Sequence, residues 1–207
     1  MDFSKNLSSI FPTSQALILE ELIQTPKPVS GRQLALQLVD RLGKSRVLDV
    51  LGELVEQGLV TREILGPSHL YSINKQHLCF DLLKSLSSPR ELLVSLITKR
   101  LARFKPQPQA AVLFGSIAKG KSKPESDIDL LVIRPNRVRE DDDAWQDQLF
   151  RLTLAVQRAT GNPLNYLDYS QAEVASLARS GARLIREINQ HGIVLMGKFD
   201  YQAAKAG

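Results

Sequence analysis

Cysteine is nearly absent. Cys79 is the only one in 207 residues, and it is accompanied by one tryptophan, two methionines and three histidines. A single thiol excludes an internal disulfide and suits a reducing, cytoplasmic setting. His77 and His191 have no cysteine or histidine at zinc-ligand spacing, so both read as structural. No apolar run approaches the roughly 20 residues that span a bilayer, which excludes a membrane helix. Met1 to Phe11 lacks a basic stretch ahead of an apolar one, so no secretory signal is expected. Internal repeats and low-complexity segments are also missing. So is any local serine, histidine and acid grouping of the hydrolase kind.

What is present is an ordinary globular composition, 43% hydrophobic and 24% charged, with a net charge of +5. At this length the chain accommodates one large domain or two small ones. The charge is unevenly placed. Residues 1–75 hold eight basic and eight acidic side chains, while the remainder holds 19 basic and 14 acidic ones. The whole excess therefore lies in the second part. A basic chain attracts nucleic acid or phosphorylated ligands.

The first part reads as three helices and a hairpin. Thr13 or Ser14 caps a helix through residues 16–23, which Pro26 and Pro28 end. Ser30 caps a second helix from Arg32 to Val39. Gly43-Lys44-Ser45 opens a third, with Val47, Leu48, Leu51, Leu54 and Val55 at helical spacing. Gly58 stands where a left-handed cap is needed. Two short strands, Thr61 to Leu65 and Leu70 to Ile73, flank the turn-forming Gly66-Pro67-Ser68-His69. The run from Ser45 through Val60 resembles the recognition helix and following strand of small bacterial winged-helix repressors. That resemblance covers residues 13–74 and implies double-stranded DNA as a partner. Lys44, Ser45 and Arg46 at the start of the third helix, with Arg62 in the hairpin, are the candidate DNA-binding residues. Asp49 and Glu53 on the same exposed face oppose phosphate contact.

Asn74 reads as the cap of a helix from Gln76 to Leu86, and Arg90 to Phe104 as an amphipathic helix ended by Pro106 and Pro108. The domain boundary is drawn at 80/81, giving 1–80 and 81–207. Beyond Pro108 the pattern changes. Ala110 to Phe114 is a continuous apolar run, as expected of a strand covered on both faces. Ile128 to Ile133 and Leu164 to Tyr169 read as further strands, separated by a helix from Asp143 to Thr160. Ser170-x-x-Glu173 is a capping box. A helix from Ala182 to Gln190 and a last apolar run from Ile193 to Met196 follow. The acidic run Glu140 to Asp143 falls ahead of a helix N-terminus, where acids are favourable in any case.

The chemistry concentrates in residues 113–133, LFGSIAKGKSKPESDIDLLVI. Side chains i and i+2 of a strand share a face, so Asp127 and Asp129 point the same way. Two carboxylates at a strand end form a hard oxygen site suited to Mg²⁺. Gly115 permits close backbone approach, and Ser116 opens a helix whose N–H groups favour phosphate. Metal ions held there stabilise charge on attacking and leaving oxygens. An apolar strand, Gly-Ser, a short basic stretch and Asp-x-Asp in a second strand resemble the nucleotidyltransferase domain of the DNA polymerase β superfamily. In particular, the pattern looks like that of the minimal prokaryotic nucleotidyltransferases.

That resemblance extends over roughly residues 90–196. Together with the winged-helix likeness of residues 13–74, it implies an α+β chain of two domains, a winged helix-turn-helix and a nucleotidyltransferase-type α/β domain with a small mixed sheet. It implies two Mg²⁺ ions on Asp127 and Asp129, an NTP as substrate or ligand held by Gly115 and Ser116, and transfer to a hydroxyl of a macromolecular acceptor. Lys119 and Ser126 in the connecting loop are further nucleotide-binding candidates, Lys119 through its charge. It also implies a protein acceptor or toxin partner, and the winged-helix likeness implies a homodimer. Active relatives carry a third carboxylate on the next strand, and Asn165 stands at that position here. An amide neither takes a proton nor neutralises a cation. Asp168 is the acid nearby, three residues on and so facing away unless a bulge turns it. Two outcomes stay open: Asp168 substitutes as a catalytic residue, or catalysis is impaired. In the second case the chain is a DNA-binding transcriptional regulator with a nucleotide- or partner-binding domain.

Overall fold

The structure, a computed structural model, describes residues 1–3 and 7–202. It is α+β with two small sheets and divides into two compact units, residues 5–89 in one and residues 1–4 with 90–207 in the other. Among the described residues no helix is long and apolar enough to cross a membrane.

The 5–89 unit contains α1 (Leu7–Ile10), α2 (Ser14–Gln24), β1 (Val29–Ser30), α3 (Gly31–Gln37), α4 (Lys44–Glu56), β2 (Val60–Leu65), β3 (Ser68–Ile73) and α5 (Phe80–Leu86). Local chemistry sets the helix starts. Thr13 Oγ1 accepts from Ala16 N–H at 3.2 Å, and Ser30 with Gln33 forms a reciprocal capping box. In α4 the buried positions are Val47, Val50, Leu51 and Leu54, one stripe at helical spacing, while Leu48 turns outward. Gly58, at φ +77°, ends this region.

The hairpin is tighter than the sequence implies. Leu65 pairs with Ser68, leaving only Gly66-Pro67 in the turn, so Ser68 and His69 belong to β3. β1, which the sequence pattern does not announce, pairs antiparallel with β3 and completes the order β1-β3-β2. The expected helix start at Gln76 moves to Phe80. Asn74 instead donates from Nδ2 to Gly58 O at 2.8 Å, tying the end of β3 to the end of α4, and successive turns fill the gap. Phe80, Leu83 and Leu86 of α5 pack on this unit's core. Compact packing accordingly divides the chain at Pro89 and Arg90, later than the 80/81 boundary drawn from sequence.

The second unit contains α6 (Pro89–Leu101), β4 (Ala110–Phe114), α7 (Gly115–Ala118), β5 (Ile128–Ile133), α8 (Asp143–Thr160), β6 (Leu164–Tyr169), α9 (Gln171–Arg179), α10 (Arg183–His191) and β7 (Ile193–Gly197). The sheet order is β6-β5-β4-β7. β5 and β6 run parallel and the other pairs antiparallel, so the sheet is mixed. Ala111, Leu113, Ile128, Leu130 and Val132 face α6 and α8, packing on Ile97, Leu101, Trp145 and Leu149. Ala110, Val112, Leu131 and Ile133 face α9 and α10, packing on Val174, Ile185 and Ile188. Cover on both faces is why these strands read as unbroken apolar runs. Asp142 caps α8 by accepting from Trp145 N–H at 2.9 Å, which gives the acidic run a structural role.

Candidate active site

Three strands converge on the aspartates. β4 ends at Phe114, which pairs with Asp129 of β5, and Asp129 pairs in turn with Asn165 of β6. The chain leaves β4 through Gly115 at φ +75°, a conformation that disfavours any other residue. A Cβ at position 115 would overlap the Asp129 carboxylate. Glycine is therefore required twice, by the backbone angle and by the space the carboxylate occupies. Asp127 precedes β5 by one residue and is exposed, while Asp129 is half-buried. Asn165 Nδ2 donates to Asp127 Oδ2 at 3.0 Å. Asp127, Asp129 and Asn165 thus share one face at one end of the sheet.

The turn that delivers Asp127 is held by a residue that the sequence pattern does not mark. Asn162, buried, donates from Nδ2 to Pro124 O and Ser126 O, each at 2.9 Å. Ser126 Oγ accepts from Lys123 N–H at 2.7 Å, so its hydroxyl shapes this turn. Ser116 lies in α7, a helix of only four residues. Lys119 follows it and forms an ion pair with Glu187 Oε1 of α10 at 2.7 Å. Glu187 was not foreseen, since nothing in an amphipathic helix some 60 residues away marks one glutamate for the site.

Asp129 titrates above the ordinary carboxylate range. Burial is the main cause, followed by the negative charges of Asp127 and Glu187, with Lys119 opposing them. A carboxyl whose pKa is raised on folding favours the fold while protonated, at pH below its unfolded value. That contribution is lost as pH rises through the folded value. Metal-free Asp129→Asn is accordingly expected to melt at a higher temperature than the parent near neutral pH. The gap should close as pH falls toward about 4 in thermal melts.

The structure places Asp168, the residue named as a possible substitute for the third carboxylate, away from the aspartate pair. The β5–β6 register runs unbroken from Ile128↔Leu164 to Ile133↔Tyr169. With no bulge there, Asp168 stays on the opposite face and three residues, roughly 10 Å, along the strand. Its side chain is 7% exposed and its Oδ2 lies 3.2 Å from Arg134 Nη1. The same oxygen accepts from Trp145 Nε1 at 3.0 Å and from Gln146 Nε2 at 3.4 Å.

In the other unit Lys44, Ser45 and Arg46 are exposed at the start of α4, and Arg62 is exposed on β2. Arg46 is partly engaged. Its Nη1 lies 3.2 Å from Glu53 Oε1, and its Nε donates to Ser14 Oγ at 3.4 Å.

Among the described residues no three histidine, cysteine, aspartate or glutamate side chains stand close enough to hold a metal ion. Asp127 and Asp129 stand as a pair of carboxylates at one strand end. This fits Mg²⁺ arriving with phosphate oxygens and its own waters, since that ion is seldom held in an all-protein cage.

The model of the "Polymerase beta, Nucleotidyltransferase" family matches residues 97–200, a span that contains Gly115, Ser116, Asp127 and Asp129. The chain belongs to the polymerase β nucleotidyltransferase family. No curated protein matches this nucleotidyltransferase chain. Among solved structures it is similar to a toxin-antitoxin with AMP-PNP, at 22% identity over 51% of this chain and 73% of that one, TM-score 0.37. It is also similar to a mutant of the toxin-antitoxin MntA-HpeT, at 23% identity over 50% and 72%, TM-score 0.35. A third similarity is to the Vibrio cholerae ferric uptake regulator, at 17% identity over 76% and 89%, TM-score 0.28.

Proposed function

We propose that the second unit binds a Mg²⁺–nucleoside triphosphate and transfers its nucleotide to a hydroxyl of a macromolecular acceptor. The observation that carries this reading is the Asp127 and Asp129 pair at one strand end, with the Asp129 carboxylate against the Gly115 backbone and its pKa raised by burial and then by the charges of Asp127 and Glu187. Carboxylates that repel one another are costly unless a cation joins them. When bound, Mg²⁺ supplies charge stabilisation at the phosphoryl oxygens. Gly115 and Ser116 approach the phosphates through the backbone. Lys119 supplies a positive charge once Glu187 yields it. Ser126 holds the turn that aims Asp127.

We further propose that the first unit is a winged helix-turn-helix that contacts double-stranded DNA through Lys44, Ser45, Arg46 and Arg62, in a cytoplasmic homodimer. The order of helices and hairpin, with β1 added as a third strand, supports it. A recognition helix presents its N-terminal residues to base edges.

A second reading is favoured by one contact. Asn165 sits in register with Asp129 and donates to Asp127, where a third carboxylate would otherwise stand. An amide there offers no base for the attacking hydroxyl, so the same site would bind nucleotide with little turnover and serve a DNA-binding regulator. Asn165→Asp separates the readings. A correctly placed general base is worth roughly 10²-fold or more. Pyrophosphate release with each NTP should rise by that factor in Asn165→Asp if only the base is missing. An unchanged rate, with nucleotide still bound, would show that position 165 is not the limiting defect.

A further inference from the structure

Part of the charge excess of the second part of the chain gathers away from the nucleotide site. Between the end of α6 and the middle of α8 lies a cavity of about 320 Å³ lined by Arg100, Arg103, Phe104, Gln148, Arg151 and Leu152. All three arginines are exposed, while Phe104 and Leu152 form a buried floor. No acidic side chain lines the cavity. Among the described residues neither Arg100 nor Arg103 has an ion-pair partner, and Arg151 pairs with Asp147 at 2.9 Å in an exposed i, i+4 contact. Such contacts are worth little and yield readily to a stronger anion.

The walls of the cavity are fixed before any ligand arrives. Gln148 accepts from Lys105 N–H at 2.7 Å through Oε1 and donates to Lys105 O at 3.2 Å through Nε2, clamping the turn after α6 to α8. The Phe104 and Trp145 rings meet edge to face at 5.6 Å beneath it. A cation in the last turn of a helix, such as Arg100, gains from the helix dipole alone. Arg151, in the middle of α8, gains nothing of that kind. Three guanidinium groups around one cavity repel each other unless an anion joins them, and their forked donors match phosphate oxygens.

We propose that this α6–α8 cleft binds the phosphodiester backbone of nucleic acid. A single small anion would gain little here, because the cations are exposed and water competes on every side. A polymer of phosphates gains at each contact by releasing condensed counterions. The cleft belongs to the second unit, so it is a separate surface from the α4 face of the first, and it needs neither nucleotide nor metal.

The experiment is fluorescence anisotropy of the full chain on a labelled mixed-sequence DNA duplex, across a salt series. The test variant is Arg100→Gln/Arg103→Gln/Arg151→Gln. The control, Arg179→Gln/Arg183→Gln/Arg186→Gln, removes the same charge from exposed positions on α9 and α10. Each lost phosphate contact lowers the slope of log affinity against log salt by roughly 0.9. The test variant should therefore lose about two to three units of slope and bind at least about tenfold more weakly near 0.1 M salt, while the control keeps most of both. The change should persist in a Lys44→Ala/Arg46→Ala background, which separates the cleft from any DNA contact by α4. Thermal melts of each variant establish that it is folded. A test variant that is folded and binds with the parent's slope overturns the proposal. So do a control that loses as much, a parent that binds no duplex at low salt, and a parent that prefers poly-glutamate to DNA.

Discussion

Asp127→Ala/Asp129→Ala is expected to lose metal-dependent nucleotide binding by more than about a hundredfold while the protein keeps its fold. Residues that merely support a metal ligand cost 10- to 100-fold in metal affinity when changed, so loss of both ligands exceeds that range. The fold survives for an electrostatic reason. Asp129 is half-buried beside Asp127 and Glu187, and its charged form is disfavoured in the metal-free protein. Removing the pair relieves repulsion, and Gly115 loses only the carboxylate that packs against it. Calorimetric titration of Mg²⁺ with each NTP, alongside thermal melts, checks both halves. Equal nucleotide affinity in the folded variant would remove the aspartates from the site. No affinity in the parent would remove the nucleotide site itself. Binding by the parent that also weakens as pH falls through the raised Asp129 value would tie the metal to that carboxylate, because proton and cation compete for the same oxygens.

Asp168→Ala should do the opposite, lowering stability by about 3–5 kcal/mol with little effect on nucleotide affinity in the folded fraction. The side chains of Asp168 and Arg134 are each 7% exposed and lie 3.2 Å apart. Arg134 also reaches Glu173 at 3.0 Å and the Asp168 carbonyl at 3.0 Å, but Glu173 is 46% exposed and competes with water. Removal of Asp168 takes away the buried partner and leaves Arg134 with only the exposed carboxylates of Glu173 and Glu140, so the cost falls toward the lower end of that range. Trp145 Nε1 loses its acceptor at the same time. Asp168→Asn keeps an acceptor for Trp145 and should cost less. Urea midpoints of the two variants check the order. A stable Asp168→Ala protein that binds NTP normally and fails only in pyrophosphate release would return Asp168 to a catalytic role.

The contrast between Asp127/Asp129 and Asp168 marks how far the chain could be read without its fold. Helix caps at Thr13, Ser30 and Ser170, the left-handed Gly58, and the i, i+2 sharing of a face by Asp127 and Asp129 all depend on residues within a few positions of one another. Such relations survive in the sequence because a cap or a pleat acts over one turn or one repeat. The apolar runs of β4 and β5 likewise announced burial on both faces. Other features needed the sheet. The β5–β6 register sets Asn165 beside Asp129 and turns Asp168 toward Trp145 and Arg134, and alternation alone could not exclude a bulge. Glu187 reaches Lys119 only because α10 packs against α7, and Arg151 shares a cavity with Arg100 and Arg103 only because α6 and α8 pack on the same core. β1, two residues long, has no period to read and exists because β3 offers it a free edge. Local geometry wrote the aspartate pair and its glycine into the sequence. Long-range packing chose which other charges would surround them.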